Sequence, residues 1–323
     1  MIRLSALGDV IFALESLSSL KHERPDLRVD FLIEDRFASI LEGHPLIDRL
    51  IVMPRKNLWK VPSYLRTLRS VRYDVVIDLH GLLKSSIHVL LARSPRKIGY
   101  AKPGSREGAA FAYHERVQLP SPIPHRAEQG NHLLRALGMT GTRKAAELPT
   151  NNHLPEIFPD SSQPKVILHP GTSAFAAFKR WPIEKFIALG QGLRARHISI
   201  AMSYGPDESE LFHTAKAAIP DLIEIDGTNL GLAGLGQAMQ QADVVVAADT
   251  GPLHIAASVG TRVVALFGPK DSNRYGPRGE GHRILYHDVP CRPCKLRTCI
   301  SPQCVLGIHV AKVESAVTEL IEL

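Results

Sequence analysis

Val244-Val245-Val246-Ala247-Ala248-Asp249-Thr250-Gly251-Pro252-Leu253-His254-Ile255-Ala256-Ala257 is the stretch that decides how this chain folds. An apolar, β-branched run ends in an acid, a hydroxyl, a glycine and a proline, and a helix of small residues follows. Proline suits the first helical turn, where its missing N–H would go unpaired anyway. Gly251 lets backbone come close to a ligand. Thr250 stands at the N-cap position, and open N–H groups together with the helix dipole favour an anion there. Asp249 and His254 flank that point with protons or hydrogen bonds to offer. Taken alone, the stretch is more simply an ordinary strand-to-helix turn. Its place gives it weight, because open α/β sheets bind ligands at the carboxyl ends of their strands.

The same alternation runs outward in both directions. Candidate strands are Ile2–Leu4, Val29–Ile33, Arg49–Met53 and Val75–Leu79 in the first half. In the second half they are Val166–His169, Ile198–Ser203, Leu222–Ile225, Val244–Ala247 and Val263–Phe267. Amphipathic helical patterns separate them, among them Val10–Leu20, Ile183–Arg194, Glu208–Ala217 and Leu230–Gln240. Strand–helix alternation predicts parallel sheets with crossover helices. A stretch rich in Pro, Asn and Ser interrupts the pattern and reads as a linker. The expected organisation is a Rossmann-like domain over 1–150, a linker over 151–164 and a second Rossmann-like domain over 165–323. The last helix is expected to pack back on the first domain, and a ligand cleft to lie between the two.

At 323 residues the chain exceeds a single ordinary core, and 44% hydrophobic with 22% charged residues is a globular composition. No run approaches the roughly 18 apolar residues of a membrane span. Arg3 and Asp9 interrupt any signal-peptide core, which predicts a cytoplasmic protein. Residues 1–150 hold 23 Lys and Arg against 15 Asp and Glu, while the remainder holds 16 against 17. The basic excess of the first half fits either a phosphorylated or membrane-bound partner or a solvated basic face. Nucleic acid is not expected, since no aromatic residues interleave the basic ones and no zinc-finger or RNP pattern occurs.

Three further loops follow predicted strands. Arg3-Leu4-Ser5-Ala6-Leu7-Gly8-Asp9-Val10 sets an acid at a helix start, and Asp9 read alone is an N-cap. Its glycines are too sparse for a dinucleotide fingerprint, which argues against a nicotinamide enzyme. His169-Pro170-Gly171-Thr172-Ser173 offers backbone N–H groups and two hydroxyls, and Lys179-Arg180-Trp181-Pro182 adds fixed charge for a phosphate. Tyr204-Gly205-Pro206-Asp207-Glu208 opens a helix with acids able to cap it or to accept from a ribose.

Together with Asp78-Leu79-His80-Gly81-Leu82-Leu83-Lys84-Ser85, Leu266–Gly268 and Gly276-Pro277, these segments resemble glycosyltransferase family 9, the heptosyltransferases of lipopolysaccharide assembly. The resemblance runs through nearly the whole chain in the family's order. It implies a GT-B fold of two Rossmann-like domains, acceptor side first and nucleotide-sugar side second. It implies inverting transfer of heptose from ADP-heptose to the Kdo or heptose of an inner core, with no cofactor or catalytic metal. Asp9 matches the family's general base and Lys179 the contact to the donor diphosphate. Asp249, Thr250, Gly251, Pro252 and His254 match the pocket around that diphosphate. Thr172, Ser173 and Glu208 fall in donor loops, with Glu210 an alternative to Glu208. His80 and Lys84 fall where an acceptor would be touched. The implied partners are the nucleotide sugar, a lipid A–core acceptor and the inner membrane surface. Transfer to a protein or another glycan, and a non-catalytic sugar-nucleotide-binding module, are the other readings.

Two features depart from the family. Only Met1–Leu4 precede the first loop, which predicts a short first strand and a loosely placed Asp9; Glu15 stands where proline is usual. Cys291, Cys294, Cys299 and Cys304 fall close together. Such a set fits a structural Zn²⁺ or iron site or simply reduced thiols, and fits disulfides in a cytosolic chain less well.

Overall fold

The computed structural model describes residues 1–142, 144–146, 148–149, 154–160, 162–206, 208–294, 296 and 298–323. The chain divides into two compact units, Met1–Pro149 and Thr150–Leu323. Positions 151–153 and 161 of the expected linker lie outside the described residues.

In the first unit, β1 (Asp30–Glu34) pairs with β2 (Arg49–Met53), and β3 (Val75–Ile77), β4 (Arg96–Tyr100) and β5 (Glu115–Val117) pair in that order, all parallel. Ile2 bridges Leu32 on one side and Asp78 on the other. Leu32 N–H donates to the Met1 carbonyl, and Leu79 N–H to that of Ile2, at 2.9 and 3.0 Å. Residues 1–4 therefore form the middle of a single parallel layer. The strand is short, as expected, yet Leu4 is fully buried and Arg3 is 2% exposed, so the loop that carries Asp9 starts from a fixed point. The helix Leu7–Glu23 buries Val10, Ile11, Leu14 and Leu17 and packs along the helix Arg126–Arg135. Gly130 permits that approach, since a methyl there would strike the Ser16 hydroxyl.

The second unit holds six parallel strands in the order β11-β10-β9-β6-β7-β8. These are β6 (Lys165–His169), β7 (Ser199–Tyr204), β8 (Ile223–Asp226), β9 (Val244–Ala248), β10 (Arg262–Leu266) and β11 (Arg283–Leu285). Every residue of β9 is buried, as a central strand covered on both faces requires. Val166, Leu168, Val244, Val246, Val264 and Leu266 share one face by the two-residue period of a strand and join Trp181, Phe186, Leu189 and Val317 in one core. Truncating Leu168 to alanine there would cost about 2–5 kcal/mol.

The closing helix runs over Val310–Ile321. It buries Val313, Val317 and Leu320 against the helix Ile183–Ala195 and strands β9 and β10, within the second unit's own core. Trp181 ties the preceding turn in place by donating its indole N–H to the Ile308 carbonyl at 3.0 Å. Strands β4, β5 and β11 go beyond the reading: each opens on a charged residue, and β5 and β11 are only three residues long. Among the described residues no helix is long and apolar enough to cross a membrane.

Candidate active site

The carboxyl ends of the first unit's strands gather most of its predicted residues. Asp9, two residues into the helix Leu7–Glu23, is held by two guanidinium groups: Arg3 Nη2 at 2.5 Å and Arg126 Nε at 2.9 Å. Burial alone would push the Asp9 carboxyl up. Arg3 and Arg126 outweigh it and hold the group well below the usual carboxylate range. Asp9 is thus no N-cap; the cap position is Ala6. Arg3 is itself aimed by the Leu79 carbonyl at 2.5 Å, and burial brings it down to about 10.

His80 joins this group. Its Nδ1 accepts from the Leu4 N–H at 3.3 Å, and burial, with Arg3 and Lys84 nearby, keeps its imidazole neutral far below the ordinary histidine value. Asp78 shapes the loop: buried completely, it accepts from the His80 and Gly81 N–H groups, the Ser85 hydroxyl and the Tyr113 hydroxyl. Burial raises its carboxyl, and those four donors offset the cost of enclosing it. Lys84 donates to Ser5 and, at 3.0 Å, to Glu34 Oε1, while Arg36 holds Glu34 Oε2 at 2.7 Å. Asp9, His80 and Lys84 therefore share one edge, with cations in excess.

In the second unit, Lys179 Nζ meets Asp249 Oδ2 at 2.7 Å, with both side chains largely buried. Asp249 leaves β9 just before the helix Gly251–Ser258, which has Pro252 in its first turn. Thr250 occupies the N-cap position, but its hydroxyl donates back to the Ala248 carbonyl at 3.1 Å and no side chain caps the helix. This corrects the capping expectation and leaves the first helical N–H groups to an anion. His254, 5% exposed, lies within the first turn of the same helix.

Arg180, beside Lys179, donates to the Thr172 hydroxyl at 2.9 Å and to the Thr172 carbonyl at 2.7 Å, and reaches Glu208 at 3.6 Å. Glu208 accepts from the Gly205 N–H at 3.0 Å and lies so close to Gly171 that a methyl there would collide with its carboxylate. Glu208 is buried whereas Glu210 is exposed. Ser173 is exposed at the start of the turn Ala174–Lys179, and Asp207 lies outside the described residues. His169 bonds Ser203 at 2.9 Å, and burial lowers it to about 4.

All four cysteines are free thiols and line one cavity of about 280 Å³ with Phe178 and Pro269. Cys291 and Cys299 are exposed and Cys304 is buried. The Leu296 N–H donates to the Cys294 sulfur at 3.3 Å. Among the described residues, no three His, Cys, Asp or Glu side chains are placed to hold a metal ion.

The profile of "Glycosyltransferase family 9 (heptosyltransferase)" matches residues 61–305. The chain belongs to glycosyltransferase family 9. Lipopolysaccharide heptosyltransferase 1 of Pseudomonas aeruginosa is 27% identical over 318 residues, spanning 93% of this chain and 86% of that protein. The Escherichia coli K12 enzyme of the same description is 26% identical, spanning 88% of this chain and 92% of its own. The crystal structure of a family 9 glycosyltransferase from Veillonella parvula superposes with a TM-score of 0.83 at 21% identity, covering 99% and 96% of the two chains. The E. coli heptosyltransferase WaaC with ADP superposes with a TM-score of 0.81 at 22% identity, covering 99% and 98%. This family 9 glycosyltransferase therefore has the GT-B fold class.

Arg126, Glu34 and Arg36 are functional candidates that sequence reasoning missed. Arg3 lay in the quoted motif without a role. An arginine at the start of a helix is too common a feature to point back to Asp9.

Proposed function

We propose that this glycosyltransferase moves heptose from ADP-heptose to the inner core of lipopolysaccharide, with inversion and without a catalytic metal. The observation that carries the reading is the Lys179–Asp249 pair set before the uncapped helix Gly251–Ser258. A diphosphate leaving group needs positive charge where its own charge develops, and a lysine with a helix N-terminus supplies it. The names of the relatives add heptose and lipopolysaccharide to that chemistry, and the solved relative with ADP adds the nucleotide.

Each unit has its part. In the first, Asp9 takes the proton of the acceptor hydroxyl as the new bond forms. Clamped by two arginines it is a weak base, so proton transfer comes late, when the attacking oxygen already carries positive charge. An acid group of the acceptor that draws Arg126 away would free Asp9 Oδ1 and strengthen the base. His80 and Lys84 contact the acceptor. In the second unit, Lys179, Asp249, Thr250, Gly251, Pro252 and His254 surround the diphosphate, while Thr172, Ser173 and Glu208 serve the nucleoside side. Inversion follows from one in-line displacement. The enzyme works in the cytoplasm at the inner membrane.

The test is a donor and acceptor screen. ADP release from ADP-heptose on a Kdo–lipid A acceptor is expected, with UDP- and GDP-sugars inactive. Binding of ADP-heptose with no turnover on any glycan or protein acceptor would sink the reading in favour of a binding module.

A further inference from the structure

The loop after β2 is the most exposed apolar feature of the first unit. Trp59 is 94% exposed and Leu58 76%. The loop is nevertheless ordered: Leu58–Lys60 is a helical turn closed by the Lys60 N–H on the Asn57 carbonyl at 3.1 Å, and the Arg55 N–H donates to Asp35 Oδ2 at 3.0 Å. Arg55, Lys56 and Lys60 surround the pair. The helix that follows, Val61–Arg69, turns Tyr64 and Leu68 inward and leaves Arg66 and Arg69 exposed. From Pro54 to Tyr73 the sequence contains no Asp or Glu, so nothing on this segment offsets its positive charge.

We propose that Leu58 and Trp59 insert into the surface of an anionic lipid bilayer, with the cations around them on the headgroups. Tryptophan has an apolar body and a polar N–H, which suits the headgroup boundary. Basic residues beside it are drawn by the negative surface potential of such a membrane. A second copy of the chain fits this face poorly, since a symmetric contact would set like charges against each other. The loop leaves the carboxyl end of β2, at the sheet edge that also carries Asp9 and Lys84. Docking there would hold that edge at the membrane from which a lipid-borne acceptor rises. This consequence, though not the docking itself, rests on the heptosyl-transfer reading.

The protein supplies its own probe. It has two tryptophans, and Trp181 is 1% exposed, so a change in emission on binding reports Trp59. Vesicles of phosphatidylglycerol and phosphatidylethanolamine should shift the emission to the blue and co-sediment the intact protein. Pure phosphatidylcholine should do neither. Trp59→Ala should abolish the shift and weaken sedimentation, and Lys56→Ala with Lys60→Ala should lower partitioning by about tenfold or more. Trp59→Ala should still release ADP at the wild-type rate on a lipid-free core oligosaccharide. The proposal is overturned by absence of binding to anionic vesicles, by equal binding to phosphatidylcholine, or by undiminished sedimentation of Trp59→Ala. It is equally overturned if the lipid-free oligosaccharide alone produces the shift, or if Trp59→Ala loses turnover on it, since the loop would then read sugar. Failure of the heptosyl-transfer reading shows differently, as wild-type protein that binds vesicles and releases no ADP.

Discussion

Asp9 and Lys179 make opposite bargains with their surroundings. The carboxylate in the first unit is outnumbered: two guanidinium groups hold its two oxygens, and the cluster keeps a net positive charge. The ammonium in the second unit is matched one to one by Asp249, and the spare positive character there comes from helix N–H groups. The first arrangement positions an acid firmly and lowers its basicity. The second keeps a lysine neutralised until a stronger anion competes for it. On the proposed mechanism, a base that must not wander and a cation that must change partners call for different enclosures.

The largest effect should come from breaking the first member of the pair. Asp9→Asn is expected to lower transfer by about 10²–10⁴-fold while leaving ADP affinity unchanged by calorimetry. A matching loss of ADP affinity would erase the distinction between the two edges. Lys179→Ala should act the other way, weakening ADP binding by roughly 10–100-fold, because it removes a charge-assisted contact and strands Asp249. Arg126→Gln removes one of the two charges on Asp9. The Asp9 carboxyl should rise toward its ordinary value, and the acid limb of kcat/KM should move to higher pH. An unmoved limb would show that Arg3 alone sets it, or that Asp9 is not the titrating group.

Smaller effects test the histidines. Burial lowers His169 to about 4 and depresses His80 further. The folded state then binds fewer protons than the unfolded one, so this stability is complete above about pH 6.5 and is lost as pH falls toward 4. The melting temperature should drop over that window, and His169→Gln should flatten the drop. A melting temperature independent of pH there would contradict the enclosed, neutral imidazoles. Least of all, Cys291 and Cys299 should alkylate before Cys304 in the native protein, read by mass spectrometry. Full protection of the exposed pair would mean that something occupies the cavity they line.

The second unit was the more legible in sequence. Its inner strands β6, β7, β9 and β10 are largely apolar runs, since both faces are covered, and they fall within a residue or two of their expected limits, whereas the edge strand β11 opens on Arg283 and was not expected. The first unit hid two strands: β4 opens on Arg96 and Lys97, and β5 has one apolar residue in three. Gly99 in β4 looks like a strand breaker, yet it leaves room for the Tyr113 ring. The site follows the same division. Lys179 and Asp249 sit in recognisable loops, whereas the Asp9–Arg126 contact joins residues 117 apart and has no local signature. Thr250 stands where a cap belongs, but only the three-dimensional structure reveals that its hydroxyl turns backward.

The strand order carries a consequence for how the chain is made. Among the strands described in each unit, the earliest in sequence lies in the middle: residues 1–4 in one sheet and β6 in the other. Later strands add outward on one flank, β1 then β2 and β7 then β8, and afterwards on the other flank. None of the described strands has to be inserted between two already paired. Each sheet can therefore grow at an open edge as the polypeptide leaves the ribosome. Parallel pairing needs long crossovers and is slow for a free chain, and an order in which each described strand meets an open edge spares the chain any later rearrangement of paired strands.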